Sequence, residues 1–344
     1  MKLVVAATLA AAVCGRAGAG DKALQQRESP TRWVLVYSGG PKRPAYSVDD
    51  LRHLLSVVDT ADRSVGPLCD GVILTEYQAV SGRYYMPWQN GRLADGPDWT
   101  QYVDSLVKPA GILTRLDSAV ARAGLKQVSF TVMVPYPDSI QRTFLYDGQN
   151  WDLTVPSNRA EVVRRYVRNV TNRIKSVPLA RLSFAGFYWL NESAVPSDLD
   201  LVAQVKDFAG PLNYRVQWIP WWGTPRAAQW AFFGFDHDGV WQQPNYFFHP
   251  EVPPSRIDSA FDFARKTGMG IELEFDSRLF SDERFRGRLT PYLDGFARAA
   301  DVRDRPIAIY EGKGALIQLA RSTDPEDRAL YRRLVKILRP EIRL

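Results

Sequence analysis

One apolar segment near the carboxyl end of the chain carries three acidic residues at alternate positions. Within 270–276, Glu272, Glu274 and Asp276 alternate with aliphatic or aromatic residues. Because successive side chains of a β-strand point to opposite faces, the acids share one face and the apolar residues the other. We expect the apolar face to pack on helices and the acidic face to point inward, where the carboxyl groups repel each other and lose hydration. This pattern is typical of a functional site; the alternative is a buried acid paired with an arginine from a neighbouring strand.

A second candidate acid, Glu192, follows the apolar and aromatic segment 182–190 and comes directly after Asn191. A carboxylate in this place either performs chemistry or caps the following loop. The Asn-Glu pair resembles the pair that ends strand four in the large superfamily of retaining glycosidases, where a glutamate of strand seven is the nucleophile. Such enzymes use two carboxyl groups about 5–5.5 Å apart, and inverting ones use a pair about 6.5–9.5 Å apart.

The positions of Glu192 and Glu274 predict different catalytic roles for the two acids. We expect Glu192 to be the general acid/base and Glu274 the nucleophile. Glu274 lies two residues nearer the carboxyl end of its segment than Glu272, which corresponds to roughly 6.6 Å in a strand. Glu272 is therefore expected to be deeper in the protein and to support Glu274.

Aromatic and polar residues are concentrated at the ends of the apolar segments. The chain has 10 Trp, 15 Tyr and 16 Phe, which is a supply suited to stacking on the C–H faces of sugars, while amide and carboxyl groups bind their hydroxyls. Core packing is the alternative for any one of these aromatic residues. The candidate substrate-binding residues are Glu76, Trp189, Asn191, Trp218, Trp222, Gln243, Asn245, Tyr246, Glu272, Asp276, Tyr310 and Glu311. Among them, Tyr310 is expected to orient the nucleophile, and Glu76 and Glu311 are further candidates for the acid.

The elements that must position these residues alternate regularly. Eight short apolar segments are predicted to be strands: 33–37, 71–77, 128–134, 182–190, 215–222, 239–246, 270–276 and 306–311. Helical patterns follow them: a helix capped by Ser47, one over 98–123, one capped by Ser157, and others over 197–208, 225–232, 255–266, 281–300 and 324–338. Eight strand–helix pairs predict an α/β fold, a single-domain (β/α)8 TIM barrel with long βα loops and a site at the carboxyl ends of the strands. The alternative, an open doubly wound sheet, normally has a glycine-rich first turn, which is absent after Tyr37.

The first 19 residues have the features of an export signal: a basic start, an apolar run and small residues at 17–19. We expect residues 1–19 to be a cleaved signal peptide, 20–31 an amino-terminal extension and 32–344 the barrel, in a secreted or periplasmic protein. Lipid anchoring through Cys14 is the alternative. No later apolar run is long enough to predict a membrane span. Cys69, which would then be the only cysteine left, is expected to be a buried small hydrophobic residue.

Several classes of function fit the sequence poorly. The net charge of +6 comes from arginines scattered over the chain rather than from a basic arm, so a nucleic-acid partner is not expected. The three histidines form no metal-binding spacing, and neither a P-loop nor a G-x-S-x-G motif is present. The expected partner is a carbohydrate substrate, with no metal and no cofactor. The oligomeric state stays open.

Four segments spread over the chain resemble the family of domain of unknown function 4855. They are the strand ending at Tyr37 and the segments 186–192, 243–246 and 270–276. The resemblance implies a secreted barrel similar to glycosidases.

The leading hypothesis from the sequence is a secreted glycoside hydrolase that cleaves a poly- or oligosaccharide, retaining the anomeric configuration. Two alternatives remain at this stage. One is a glycan-binding barrel without catalysis. The other is a metal-dependent lyase or aldolase-type barrel in which Glu272, Glu274 and Asp276 are oxygen ligands.

Overall fold

The computed structural model describes residues 31–41, 43–87 and 91–344, with Phe233 and His237 described in their backbone alone. The expected signal peptide, Cys14 and the extension up to residue 30 lie outside the described residues. None of the helices in these ranges is both long and apolar enough to cross a membrane. Cys69 is fully buried and free, as expected for a small hydrophobic residue.

Eight parallel strands form one sheet that is rolled into a nearly closed barrel. The strands are β1 (Arg32–Tyr37), β2 (Gly71–Thr75), β3 (Val128–Val134), β4 (Leu182–Trp189), β5 (Arg215–Trp218), β6 (Trp241–Gln242), β7 (Gly270–Asp276) and β8 (Ile307–Gly312). Their order in the sheet is β6-β7-β8-β1-β2-β3-β4-β5. A parallel bridge between Trp218 and Val240 joins the two edges. The prediction of a (β/α)8 TIM barrel is therefore confirmed.

Helices connect the strands and cover the outside of the barrel. They are α1 (Val48–Leu55), α2 (Gly96–Val107), α3 (Ile112–Arg122), α4 (Pro156–Lys175), α5 (Pro196–Ala209), α6 (Ala227–Gly234), α7 (Ser255–Thr267), α8 (Glu283–Arg298), α9 (Ala300–Arg303), α10 (Ala315–Arg321) and α11 (Pro325–Leu338). Short 3-10 turns span Gly210–Leu212, His237–Gly239 and Ser277–Phe280. Two antiparallel hairpins stand apart from the barrel, Ser56–Val58 with Ser64–Pro67 and Phe144–Tyr146 with Gln149–Trp151.

The helix boundaries depart from the sequence expectation at three places. The stretch expected as one helix over 98–123 is broken, because Lys108 precedes Pro109 and adopts an extended conformation that ends α2. Ser157 lies inside α4, whose first residue is Pro156. The helix α10 was not expected at all. Ser47, by contrast, caps α1 as expected, and its hydroxyl accepts a hydrogen bond from the backbone N–H of Asp50.

Two strands, β5 and β6, are shorter than their apolar segments by at least four residues. The β5 strand ends at Trp218 and β6 consists of Trp241 and Gln242. Proline follows closely in both cases, at Pro220 and Pro244, and its missing N–H removes a donor from the sheet. The residues after these strands therefore belong to the loops at the barrel mouth.

Two tryptophans fill the amino-terminal end of the barrel. The rings of Trp33 and Trp241 meet edge to face with their centroids 6.1 Å apart. Two glycines leave room for them: a Cβ on Gly71 would lie 2.3 Å from the ring of Trp33, and one on Gly270 would lie 2.5 Å from that of Trp241. We call these four residues the barrel floor. Gly270 thereby shows which face of β7 points inward.

Candidate active site

The three acids of β7 lie on the inward face, as the alternation of the sequence predicts. They share that face with Gly270, while the intervening apolar residues are fully buried against the helices. In the strand register, Glu272 is beside Ala308 of β8 and Glu274 is beside Tyr310. Glu272 and Glu274 are each only 1% exposed, so their carboxyl groups have lost most of their hydration.

Glu274 is held by donors from two different elements. Its Oε2 accepts a hydrogen bond from the hydroxyl of Tyr292 on α8 and a weaker one, 3.3 Å long, from the backbone N–H of Tyr246. Burial raises the pKa of Glu274 to about 7, and the charge of Glu192 adds to this, while the hydrogen bonds from Tyr292, Tyr246 and the backbone of Asn245 act in the opposite direction. The donors therefore stabilise the ionised form of a carboxyl group that burial alone would keep protonated.

Glu192 lies in the loop after β4 and is partly exposed. The β5 loop fixes its backbone, because the Glu192 carbonyl accepts hydrogen bonds from the N–H of Trp221 at 3.3 Å and from the hydroxyl of Thr224 at 2.7 Å. Burial raises the pKa of the Glu192 carboxyl to about 7, opposed by a hydrogen bond from Gln243. Glu192 is thus the acid of the mouth that solvent reaches most easily.

Glu272 completes the group. Burial, and then the charges of Glu274 and Glu192, raise the pKa of Glu272 well above its ordinary value. The side-chain amide of Gln243 bonds to Glu272 and also reaches Oε1 of Glu192 at 3.5 Å. We call Glu192, Glu272 and Glu274 the acid cluster. Burial thus raises the pKa of all three members, and Glu272, whose pKa the charges of both other acids raise further, binds its proton more tightly than an exposed glutamate does.

The loop after β6 contacts the acid cluster mainly through its backbone. Asn245 has a positive φ of 51°, and this turn aims the backbone N–H groups of Asn245 and Tyr246 at Glu274. The Tyr246 ring is buried beneath the guanidinium of Arg288, 3.7 Å from its centroid. Arg288 also donates to the carbonyls of Phe247 at 3.1 Å and His249 at 2.6 Å. Helix α8 therefore supplies both Tyr292 for Glu274 and Arg288 for the loop.

Two predicted substrate-binding tryptophans face away from the barrel interior. Trp189 and Trp218 are neighbours in the register of β4 and β5 and are almost fully buried. The Trp218 ring stacks on Phe235 at 4.7 Å, and its N–H donates to the carbonyl of Asn191. The strand alternation explains this: Tyr188 and Gln217, one residue earlier in each strand, point inward. Both tryptophans belong to the packing between sheet and helices, so the prediction that they bind substrate does not fit the structure.

Glu311 and Glu76 also have structural partners. Glu311 follows the inward Tyr310 and turns to α10, where its carboxyl accepts the N–H of Leu316 at 3.2 Å; burial raises its pKa to about 8. Glu76 is fully buried and forms two hydrogen bonds of 2.7 Å with the guanidinium of Arg43. Neither carboxyl group belongs to the acid cluster.

The other predicted residues lie at or near the mouth. Asp276 is bound by the N–H and the guanidinium of Arg278 at 2.9 and 3.0 Å. Tyr310 contacts the rings of Tyr37 and Phe248. The expected role of Tyr310 is taken by another residue, since the hydroxyl bound to Glu274 is that of Tyr292.

The ring of Trp222 is covered by the guanidinium of Arg256, which lies 4.7 Å from the ring centroid. Its neighbour Trp221 has 37% of its surface exposed and donates a 2.7 Å hydrogen bond to the hydroxyl of Ser193, next to Glu192. The sequence marked the Trp221-Trp222 pair as aromatic but did not show which ring borders the acid.

Two residues of the mouth, Tyr292 and Arg43, were not expected from the sequence. Tyr292 and Arg288 are four residues apart in α8 and therefore share a face, which is a signal the sequence did contain. Arg43 belongs to an irregular loop, and its pairing with Glu76 depends on tertiary structure.

The family of the chain follows from its sequence profile. The profile described as domain of unknown function 4855, DUF4855, matches residues 32–336. The chain belongs to this family. The match contains all eight strands, so the DUF4855 domain and the barrel coincide. No curated protein matches the chain.

Solved structures similar to this DUF4855 barrel have low sequence identity. The xylanase and alpha-amylase inhibitor protein from Scadoxus multiflorus is 14% identical, with 89% of this chain and 97% of that chain covered and a TM-score of 0.45. A glycoside hydrolase family 5 enzyme from Prevotella bryantii B14 is 12% identical, with 86% and 87% covered and a TM-score of 0.44.

Proposed function

We propose that this barrel hydrolyses glycosidic bonds with Glu192 as general acid/base and Glu274 as nucleophile, retaining the anomeric configuration. The observation that supports the proposal is the acid cluster, in which Glu192 and Glu274 interact electrostatically and each have a pKa of about 7. A pKa near the working pH suits a group that must give and take a proton, or act ionised in one step and leave in the next.

The environment of Glu274 suits a nucleophile. One oxygen of its carboxyl group is held by Tyr292 and Tyr246, and the other, Oε1, is buried and has no hydrogen-bond partner among the described residues. In the first step an oxygen of ionised Glu274 attacks the anomeric carbon, and the bond between that carbon and the leaving oxygen breaks. The hydrogen-bond donors stabilise the Glu274 carboxylate before the attack and again when it is released from the sugar in the second step.

The environment of Glu192 suits an acid that then becomes a base. Protonated Glu192 gives its proton to the leaving oxygen in the first step. In the second step its carboxylate takes a proton from water, the water oxygen bonds to the anomeric carbon, and the bond to Glu274 breaks. Its partial exposure at the rim of the mouth gives a leaving group and water access to it.

Glu272 suits neither role. Burial and the charges of the other two acids raise its pKa well above the ordinary value, which disfavours the ionised form that a nucleophile needs. It is placed to hold Gln243 and to keep the charge of the cluster low. These electrostatics support the proposal of Glu274, rather than Glu272, as the nucleophile.

The metal-dependent alternative is not supported by the geometry. Asp276 is bound to Arg278 and Glu274 to Tyr292, so the acids of β7 do not form a shared set of ligands. Within the described ranges, the group of donors close enough for a metal is Asp49, His53 and Asp62 on and near α1, with ligand atoms within 4.8 Å. The guanidinium of Arg52 already bonds to both aspartates of that group.

The test is hydrolysis of a panel of polysaccharides and aryl glycosides by the wild type and by Glu192→Gln, Glu272→Gln and Glu274→Gln. We expect Glu192→Gln and Glu274→Gln each to lose about 10²–10⁴ in rate, with Glu272→Gln affected less. Exposed Glu341→Gln is the matched control. In Glu274→Ala, added azide should restore bond cleavage and yield a glycosyl azide of inverted configuration. Full activity of Glu274→Gln, or activity that requires a metal ion, would contradict the proposal.

A further inference from the structure

The mouth of the barrel continues into a cavity of about 750 Å3 on the side of β1, β2 and β8. Its wall includes Tyr37, Tyr77 and Tyr310, and the guanidinium of Arg43 lies 4.7 Å from the ring centroids of both Tyr37 and Tyr77. Asp276, Glu311 and Lys313 also line it. We call this space the tyrosine cavity. A volume of this size accommodates one or more sugar rings.

The tyrosine cavity adjoins the acid cluster. Tyr310 is beside Glu274 in the strand register. The charges of Glu192 and Glu272 add to the effect of burial in raising the pKa of Tyr37. Tyr310 therefore borders both the tyrosine cavity and Glu274 of the acid cluster.

The charges around the cavity are separated by depth. Its two anions are sequestered: Glu76 is fully buried under Arg43, and the side chain of Asp276 is 10% exposed and bound to Arg278. The cations reach outward, with side-chain exposures of 23% for Arg43 and 36% for Arg278. Lys313 is exposed, and no ion pair with it is formed among the described residues.

The count of charges agrees with that picture. Arg43 offsets Glu76 and Arg278 offsets Asp276, which leaves the charge of Lys313. Glu311, which also lines the cavity, has its pKa raised to about 8 by burial, so its uncharged form predominates at pH 7. A ligand in the cavity thus faces tyrosine rings and a positive rim.

The backbone presents Lys313 to this rim. Lys313 has a φ of 60° and is followed by Gly314 with a φ of 73°. A lysine in the left-handed region is strained relative to asparagine or glycine. Lys313 lines the tyrosine cavity and also the neighbouring groove that Ile317 and Arg321 of α10 line.

We propose that the tyrosine cavity is a subsite for a sugar with an anionic substituent, a carboxylate or a sulfate, bound by Lys313 and the outer edge of Arg43 with its ring against the tyrosines. The proposal rests on the proposed hydrolase function and narrows its substrate to acidic glycans. Arg43 uses Nε and Nη2 for Glu76, which leaves Nη1 to donate to the ligand. Glu76 thereby orients the guanidinium toward the cavity.

The test measures binding, so that it does not depend on turnover. Ligand-observed NMR with the full chain compares glucuronate, glucose 6-sulfate and neutral glucose, at low and high salt. We expect both or one of the anionic sugars to bind at least about tenfold more tightly than glucose, with the preference shrinking as salt screens the charges. The tighter of the two anions identifies the substituent. Equal affinity for glucose and both anions, or no binding of either anion, would overturn the proposal.

Variants locate the site. Lys313→Asn removes the charge and tolerates the positive φ, and we expect it to weaken anion binding about three- to tenfold while leaving glucose unaffected. The double variant Arg43→Gln/Glu76→Gln keeps a hydrogen-bonded pair without charge, and it should weaken anion binding to a similar extent. The control is Lys126→Asn, an exposed lysine before β3 at the opposite end of the barrel.

The outcomes separate this proposal from the hydrolase proposal. If all variants bind the anions like the wild type, the cavity assignment is wrong. If the protein hydrolyses neutral glycans in preference to acidic ones, the proposed anionic subsite is wrong and the proposed hydrolase function stands. If the protein binds anionic sugars through Lys313 but cleaves no glycoside, the proposed subsite stands and the proposed hydrolase function is wrong.

Discussion

Replacing Glu274 with Gln should make the barrel more stable at alkaline pH while destroying its activity. The folded protein binds the Glu274 proton more tightly than the unfolded chain does, because burial raises the pKa from 4.5 to about 7. The stability contributed by this proton is complete below pH 4.5 and is lost as the pH rises through 7. The loss amounts to about 3 kcal/mol, at about 1.4 kcal/mol per pH unit between the two values. Glutamine has no proton to lose and can still accept a hydrogen bond from Tyr292.

The measurement is urea unfolding of the wild type and Glu274→Gln at pH 4.5, 7 and 9, followed by tryptophan fluorescence. The free energies of unfolding should be similar at pH 4.5 and should differ by up to about 3 kcal/mol in favour of the variant at pH 9. Exposed Glu341→Gln should show no such widening. A difference that stays constant with pH would refute the argument that Glu274 is a desolvated acid, and a more stable variant with normal turnover would refute its catalytic role.

Three further predictions concern the surroundings of the acid cluster. Tyr292→Phe removes a donor to ionised Glu274, so the acidic limb of the kcat/KM profile should move up by about 1–2 pH units, which is the equivalent of a charge-assisted hydrogen bond. If the limb does not move, Tyr292 does not influence the pKa of Glu274. Glu311→Gln should abolish part of the decline in unfolding free energy between pH 4.5 and 8, since burial raises the Glu311 pKa to about 8; thermal melts across that range check this, and parallel curves would contradict it. Trp221→Ala should lower kcat/KM on oligosaccharides roughly two- to tenfold with little change in Tm. Trp218→Ala should instead cost about 3–5 kcal/mol of stability. The reverse ranking in melting and kinetic assays would show that the two rings are misassigned.

The fold was predictable because the strand segments are strongly periodic. In 270–276, strict alternation of acidic and apolar residues indicated both the strand and the face that points inward, and β3 and β7 have the expected boundaries. The ends of β5 and β6 were less predictable, since apolar residues continue past the last sheet hydrogen bond into the loops. Hydrophobicity cannot distinguish a strand residue from a buried loop residue there.

The candidate site was predictable only in part. The acids of β7 and Glu192 could be placed from strand number and alternation. Trp189 and Trp218 were misplaced because residue type was weighed without the alternation that turns them outward. The partner of Glu274 on α8 depends on how a helix packs over a loop, and the partner of Glu76 depends on a loop that returns to the mouth. Such contacts between distant segments leave no local pattern in the sequence.

The barrel floor has a consequence for how this scaffold can change. Trp33 and Trp241 interlock over Gly71 and Gly270 at the end opposite the acid cluster, so the packing that closes the barrel shares no residue with the loops that shape the mouth. Grafting new βα loops onto these strands should therefore alter which molecules are accepted without loosening the scaffold. A single methyl group added at Gly71 or Gly270 would instead collide with an indole ring and damage every such chimera alike. Directed evolution of this barrel thus has a natural boundary, with diversity introduced above the acids of β7 and none below them.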